Sequence, residues 1–511
     1  MGTMRRRRYV RASVGIAAAL LVSLAGCAPD PGRDQAAEAG TAPVASDFPR
    51  GEASPFDGYT LFQPLRSTTV YLVDMEGETV HTWETEYNGG SVYMLDNGNI
   101  IREVREPEPV GEFTAGGEGG IIQEIAWDGT VVWEFRYSTE EYRHHHDIAP
   151  LPNGNVLLIA WERKTFDEAL EAGISRARFE EDAIWPDTVV EIEPLYPDGG
   201  NVVWEWRVWD HLVQDFDRSK ANYGVIAEHP ELIDINAAAP HRERRQMAAP
   251  EEVERLRALG YLGGGSDADD RPEIARDWLH TNSIAYDPDR DEIILSVRSF
   301  SEFWIIDHST TTEEAAGHIG GRRGKGGDLL YRWGNPEASG TGTSDDRTLF
   351  VQHNAQVIPR DRAGGGNILV FNNGTGRAEE PWSSVDEIAP PFDADGNYIM
   401  EPGVPTAPAA PVWSYTDPVP TNMYAPIISG AQRLPNGNTL ICAGEGGKLR
   451  EIGADGHIVW EYQNPYLEEA GTGAEGQGQG GPGPGSLFRA LRIAVDHPAL
   501  ASLLTAEARR Q

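Results

Sequence analysis

Three histidines in this 511-residue chain stand at matching places in a repeated pattern. His146-Asp147-Ile148-Ala149-Pro150 precedes a turn at Gly154, and His353-Asn354-Ala355-Gln356-Val357 precedes a turn near Gly365. His280-Thr281-Asn282-Ser283-Ile284 fits the same slot or lies one residue off it, while Ser429-Gly430-Ala431-Gln432-Arg433 fills it before Gly437. A cation joins them. His280 lies nine residues before the turn at about Asp289 and Arg298 nine after it, so antiparallel pairing folds Arg298 back beside His280. Arginine and N–H-bearing imidazole donate hydrogen bonds to the oxygens of a tetrahedral anion, sulfate or phosphate. One neutral imidazole can attack the central atom in line and carry the group covalently. A second can take the proton of an incoming hydroxyl. Histidine suits both tasks because its pKa lies near neutrality.

Residues so far apart in sequence meet only if the elements that carry them are arranged around a common centre. Two alternating patterns supply such elements. One is a tight turn: Leu95-Asp96-Asn97-Gly98-Asn99, Leu151-Pro152-Asn153-Gly154-Asn155 and Leu434-Pro435-Asn436-Gly437-Asn438, with variants at 286–291 and 358–367. Asn-Gly supplies the positive φ that a hairpin turn needs. The other is a strand ending on an aromatic, seen at Trp83, Trp133, Trp204, Trp333, Trp413 and Trp460. Six aromatics and five turns predict an all-β fold, a six-bladed β-propeller; a pair of β-sandwiches is the weaker reading. The segment from Gly58 to Trp83 lacks an upstream turn, so the simplest closure pairs this N-terminal segment with the C-terminal one to finish a sixth blade. The strand before each turn is then innermost, and His146, His280 and His353 converge at one end of the channel. The six tryptophans read as blade packing.

The domain plan follows. Residues 1–26 read as a lipoprotein signal peptide: Arg5–Arg8 and Arg11, an apolar run too short to span a bilayer comfortably, then Leu24-Ala25-Gly26-Cys27. This looks like a bacterial lipobox, which implies cleavage before Cys27, lipid on its thiol and a cell-envelope or periplasmic location. The consecutive arginines leave twin-arginine export open. A tether covers 27–51 and the propeller 52–466. An insertion at about 208–278, with helix-like runs such as 251–257, is expected as a helical cap between two blades. Residues 467–511 read as a Gly-rich linker and a peripheral tail, including an amphipathic run near 487–493.

Certain segments match a known family. Gly58-Tyr59-Thr60-Leu61-Phe62, with Val73-Asp74-Met75-Glu76-Gly77 and Val80-His81-Thr82-Trp83, resembles the propeller entry of bacterial arylsulfate sulfotransferases. His280-Thr281-Asn282-Ser283-Ile284, Ser296-Val297-Arg298 and Gln352-His353-Asn354-Ala355 resemble that family's active-site segments. The similarity runs from about 55 to 466 and is strongest over 278–371. It implies a six-bladed propeller that works without an adenylyl-sulfate donor. It also implies ping-pong transfer from a small-molecule aryl sulfate donor to a phenolic acceptor. By position His353 matches the sulfated nucleophile, with His280, Arg298 and His146 as the supporting ring. His145 competes with His146, because His144-His145-His146 blurs the register. Sulfate in preference to phosphate rests on this resemblance. The family includes homodimers, and a homodimer stays open here. A disulfide found in some members cannot form, because Cys442 is the one cysteine besides Cys27.

Composition narrows the alternatives. The net charge of −37, from 80 carboxylates against 43 Lys and Arg, argues against nucleic acid as a partner. Loss of residues 1–26 removes five arginines and no carboxylate, so the mature chain is more acidic still. A cationic pocket in such a chain calls for an anionic ligand. Cys442 sits in an apolar strand and reads as core. His144–Asp147 offers metal-ligand types, but neighbours on a strand face opposite ways, so at most alternate ones share an ion. His81, His211, His229, His241, His308, His318, His457 and His497 read as structural. No phosphate-binding loop and no formylglycine-sulfatase motif is present, and no cofactor or metal is expected. A non-catalytic envelope scaffold with a structural or metal-holding His ring is the alternative from another class. A quinone-dependent dehydrogenase propeller would want an acidic Ca2+ site where this ring is cationic.

Overall fold

The computed structural model describes residues 54–179, 181–237, 274–377, 381–466 and 485–500. The signal segment, Cys27, the tether to residue 51 and the helix-like run at 251–257 lie outside the described residues.

Short β-forming runs separated by turns pair into six four-stranded antiparallel sheets. The first holds β1 (Gly58–Pro64), β2 (Thr69–Val73) and β3 (Thr79–Glu84). The second is β4 (Gly89–Met94), β5 (Ile100–Arg105), β6 (Gly120–Ile125) and β7 (Val131–Arg136). The third starts with β8 (Tyr142–Pro150) and β9 (Val156–Glu162). After a short pair, β10 (Lys164–Thr165) with β11 (Ala183–Ile184), it ends with β12 (Asp187–Pro194) and β13 (Gly200–Arg207). A second short pair, β14 (Leu212–Val213) with β15 (Ile233–Asp234), lies in the insertion. The fourth sheet is β16 (Thr281–Asp287), β17 (Glu292–Val297), β18 (Glu302–Asp307) and β19 (Tyr331–Trp333). The fifth is β20 (His353–Val357), β21 (Ile368–Asn372), β22 (Ser384–Ile388) and β23 (Trp413–Tyr415). The sixth is β24 (Gly430–Arg433), β25 (Thr439–Ala443), β26 (Lys448–Ile452) and β27 (Ile458–Gln463). The chain is a six-bladed β-propeller, and the strand before each turn is the innermost one.

The C-terminal run departs from expectation. It is β28 (Leu487–Ala494), paired with β1 from Gly58↔Ala494 to Pro64↔Leu487, and it is the innermost strand of the first blade. The tail is therefore not peripheral there; it closes the ring. Its two arginines give it an amphipathic look in sequence. Both are buried, Arg489 against Asp147 and Arg492 against Glu451, so the run packs on both faces. In its described part, 208–237, the insertion holds the 3-10 turns Val208–His211 and Ile226–Glu228 and the pair β14–β15.

The two sequence patterns have distinct tasks. In the tight turns Gly98, Gly154 and Gly437 take φ of 86–89°, and the first residue's N–H bonds the last residue's carbonyl at 2.8 Å. The final Asn of each turn donates to a glutamate on the blade's third strand: Asn99 to Glu124, Asn155 to Glu191, Asn438 to Glu451. The outer tryptophans lock blade to blade. Indole N–H groups of Trp83, Trp133, Trp204, Trp333 and Trp460 donate to Ala126, Gly199, Thr310, Pro408 and Met75. Each acceptor lies in the outer turn of the following blade. The sixth, Trp413, stacks under the Arg433 guanidinium of the next blade at 4.8 Å. An indole buries a large apolar body and needs one acceptor, which suits a blade seam.

Candidate active site

The innermost strands reach the axis through a shared distortion. His146 (φ 58°), His280 (φ 51°) and Asn354 (φ 54°) adopt left-handed backbone, and the ladder register breaks between His144 and Ile148, between Thr281 and Ser283, and between His353 and Gln356. Each such residue costs about 1–2 kcal/mol, and bulges of this kind re-aim side chains near functional sites. The surroundings hold them there. His146 N–H bonds Gly117 O at 2.7 Å, Thr281 N–H bonds Asp187 at 2.9 Å, and Asn354 Oδ1 accepts from Ala431 N–H at 3.1 Å.

The four residues singled out by sequence come together, all buried. The His146 and His280 rings meet edge to face, centroids 4.5 Å apart. Arg298 opens the turn after β17, and its charge reaches both His146 and His353. The triple-histidine run separates cleanly. His146 faces the other imidazoles; His145 stacks behind it on Trp161 at 4.2 Å; His144 accepts from Gly120 N–H at 3.3 Å. Asp147 is tied to Arg489 and Tyr93, so the run does not gather around one metal ion.

Behind each pocket imidazole stands a different support. Asn373 donates both amide hydrogens, to the carbonyls of Ala425 and Ile428 at 2.7 and 2.9 Å. Its oxygen is left to accept from His353 Nδ1 at 2.7 Å. That assigns the hydrogen to Nδ1 and makes Nε2 the nitrogen with the lone pair. Among the described residues Nε2 has no hydrogen-bond partner. His280 Nδ1 bonds the Asp277 carboxylate, whose other oxygen accepts from Trp161 Nε1 at 2.9 Å. His146 Nδ1 meets His145 Nδ1 at 2.8 Å, and His145 Nε2 stands 3.3 Å from Asp187. One hydrogen lies between the two Nδ1 atoms, and the ring that does not supply it keeps its own hydrogen on Nε2.

Electrostatics follow from burial. Burial, then the Arg298 charge, holds His353 well below the usual histidine range. His146 is held well below it by burial and by its imidazole neighbours, chiefly His280. His280 is lowered by burial against the opposing pull of Asp277. Burial would raise Asp277, but the His280 charge and hydrogen bond outweigh it and leave the carboxyl lowered. Burial pushes His144 down to about 3, and the Cys442 thiol up to about 12, so that cysteine is inert core.

One loop must come very close. A Cβ on Gly117 would fall 2.1–2.3 Å from three ring atoms of His146, and Gly117 has φ of 79°. Arg143 holds this loop through the carbonyls of Phe113 and Gly119 at 2.8 and 3.2 Å.

Asp277, Asn373, Asp187 and Arg489 are additions to the residues read from sequence. Asn373 was within reach of the hairpin argument that gives Arg298: His353 pairs with Phe371, and Asn373 lies two residues on. Arg489 hides in the tail, and its charge reaches His353. Asp277 and Asp187 lie in irregular or distant chain with no repeat to mark them.

The axis of the propeller gathers three imidazoles with lowered pKa values around a buried arginine, an arrangement that can hold an anion and pass a group to a ring nitrogen. The chain belongs to the arylsulfotransferase (ASST) family, whose model matches residues 66–468. No curated protein matches the chain. Solved structures similar to it include a protein of unknown function from Bacteroides caccae, 12% identical, TM-score 0.41, covering 86% of this chain and 99% of that one. Hydrazine synthase of Kuenenia stuttgartiensis is 12% identical, TM-score 0.32, covering 65% and 68%. A streptogramin B lyase is 9% identical, TM-score 0.35, covering 83% and 85%. These likenesses are too distant to bear on function.

Proposed function

We propose that the protein moves a sulfuryl group from an aryl sulfate to a phenol by a ping-pong route through a sulfohistidine at His353. The observation that carries this is the fixed tautomer of His353, a buried neutral imidazole with its Nε2 lone pair available beside Arg298. Family membership supports sulfate as the group transferred.

An arriving sulfate ester favours the charged form of every nearby imidazole. His280, backed by the Asp277 carboxylate, takes that proton first. His353 has only a neutral amide behind it and stays a nucleophile. Nε2 forms the N–S bond as the S–O bond to the aryl oxygen breaks. The electron pair leaves on the phenolate, which takes the proton from His280. The acceptor phenol then attacks sulfur, gives its proton back to His280, and the N–S pair returns to the imidazole. Arg298 donates to the sulfuryl oxygens, where charge is greatest in the transition state, and His146 adds an Nε2–H when His145 supplies the hydrogen between the two Nδ1 atoms. In this reading the chain works in the cell envelope, held to a membrane by lipid on Cys27.

The test is steady-state turnover of 4-nitrophenyl sulfate. Release of nitrophenol should rise with added phenol, giving parallel reciprocal plots and the sulfated phenol as product. Release indifferent to phenol, with inorganic sulfate as the product, would make the protein a hydrolase and sink the transferase reading.

A further inference from the structure

Away from the axis, His211, His318 and Asp328 bring three potential ligand atoms within 4.8 Å of one another. His211 ends the 3-10 turn that opens the insertion; His318 and Asp328 lie in the connection between β18 and β19. The Nδ1 atoms of both histidines point at one carboxylate oxygen, Asp328 Oδ1, from 2.9 and 2.7 Å. His211 Nε2 lies 2.8 Å from the carbonyl of Ala315.

That last contact decides the chemistry. A carbonyl only accepts, so Nε2 carries the hydrogen, and a neutral His211 turns its Nδ1 lone pair onto a carboxylate oxygen. Two acceptors then face each other in a fully buried ring stacked on Trp206 at 5.7 Å. The facing lone pairs repel, and a positive centre between them removes the repulsion. A divalent cation relieves it and uses the His318 nitrogen as well. An imidazole whose far N–H is anchored to a backbone carbonyl is the usual outer arrangement of a metal-bound histidine. The loop's arginines are engaged elsewhere, Arg322 with Asp291 at 3.4 Å and Arg323 with Glu292 at 2.8 Å.

We propose that His211, His318 and Asp328 form a site for a borderline transition cation, with Zn2+ the expected occupant and water in its fourth position. Two imidazoles and one carboxylate suit zinc and its neighbours better than Ca2+ or Mg2+. Ligand atoms about 2.0–2.1 Å from one tetrahedral ion lie roughly 3.3 Å apart, so the side chains open by a few tenths of an ångström to admit it. His318 is 61% exposed, which gives the ion a route in from solvent. The ion would fasten the start of the insertion to the fourth blade, where Trp206 Nε1 already bonds Gly327 O at 2.7 Å. The end of the same insertion supplies Asp277 to the axis.

The test uses the full-length chain, stripped with a chelator and titrated with Zn2+ and separately with Co2+. One equivalent should bind, Co2+ should give the visible absorption of a low-coordinate site, and Zn2+ should raise Tm. His318→Ala should keep the Tm of the stripped wild type and lose the binding, the Co2+ colour and the Tm rise. Failure of the stripped wild type to take up either ion overturns the proposal. Equal uptake by wild type and His318→Ala places any ion elsewhere and overturns it too.

Discussion

The axis and the rim of this propeller use histidine in opposite ways. At the axis His146 and His353 are buried among other imidazoles and an arginine, and their pKa values are driven well down. At the rim His308 bridges two blades, with Glu191 at 3.0 Å and Asp291 at 2.7 Å. Burial alone would push His308 down; the two carboxylates outweigh it and hold its pKa up. The partner behind the ring therefore decides whether a histidine is a neutral nucleophile or a structural cation. His280 stands between the cases, buried like the axial pair yet backed by Asp277.

The largest effect is expected at Asp277. Asp277→Asn takes the carboxylate from behind His280 and should lower kcat by about 10^2–10^4-fold, the usual worth of a positioned acid–base group. It should also move the acid limb of the pH profile to lower pH, which a merely structural loss would not do. Gly117→Ala drives a methyl group into the His146 ring and should lower kcat about 10^2-fold, the scale of a misplacement near 1 Å. Activity of the two variants against 4-nitrophenyl sulfate, with circular dichroism to verify folding, checks both.

Asn373→Asp would give the nucleophile a rim-type partner. The new carboxylate favours the imidazolium, so activity should fall about tenfold at about pH 6 and recover as pH rises. A pH–kcat profile superimposable on wild type would show that the amide does not keep His353 neutral. The smallest effect is expected at the rim. A histidine with a raised folded pKa contributes stability that is full below its unfolded value of about 6.5 and fades as pH rises through the folded value. His308→Gln should therefore cost about 1 kcal/mol at about pH 6 and progressively less at higher pH, read from denaturant melts. Axial histidines act with the opposite sign: with folded pKa values depressed, their contribution is lost as pH falls below about 6.5.

Repetition explains how much of this was legible in the sequence. Turns and tryptophans recur, so blade number, the innermost strands and the meeting of His146, His280 and His353 follow from alignment of one blade on another. Arg298 follows from counting residues around one hairpin. What lacks a repeat stayed hidden. The innermost strand of the first blade comes from the far end of the chain, without a turn or tryptophan, and its buried arginines make it look like surface. Asp277 lies outside any strand, three residues before His280. Whether His145 or His146 faces the pocket depends on a bulge that only the folded backbone shows.

In the proposed reaction His353 Nε2 carries the sulfuryl group. Its most direct test is rapid-quench peptide mass spectrometry of the full-length protein mixed with 4-nitrophenyl sulfate, without acceptor. An SO3 adduct is expected on the peptide containing His353, absent in His353→Ala and discharged by added phenol. An adduct on another residue, or sulfated phenol formed by a His353→Ala variant at the wild-type rate, would contradict it.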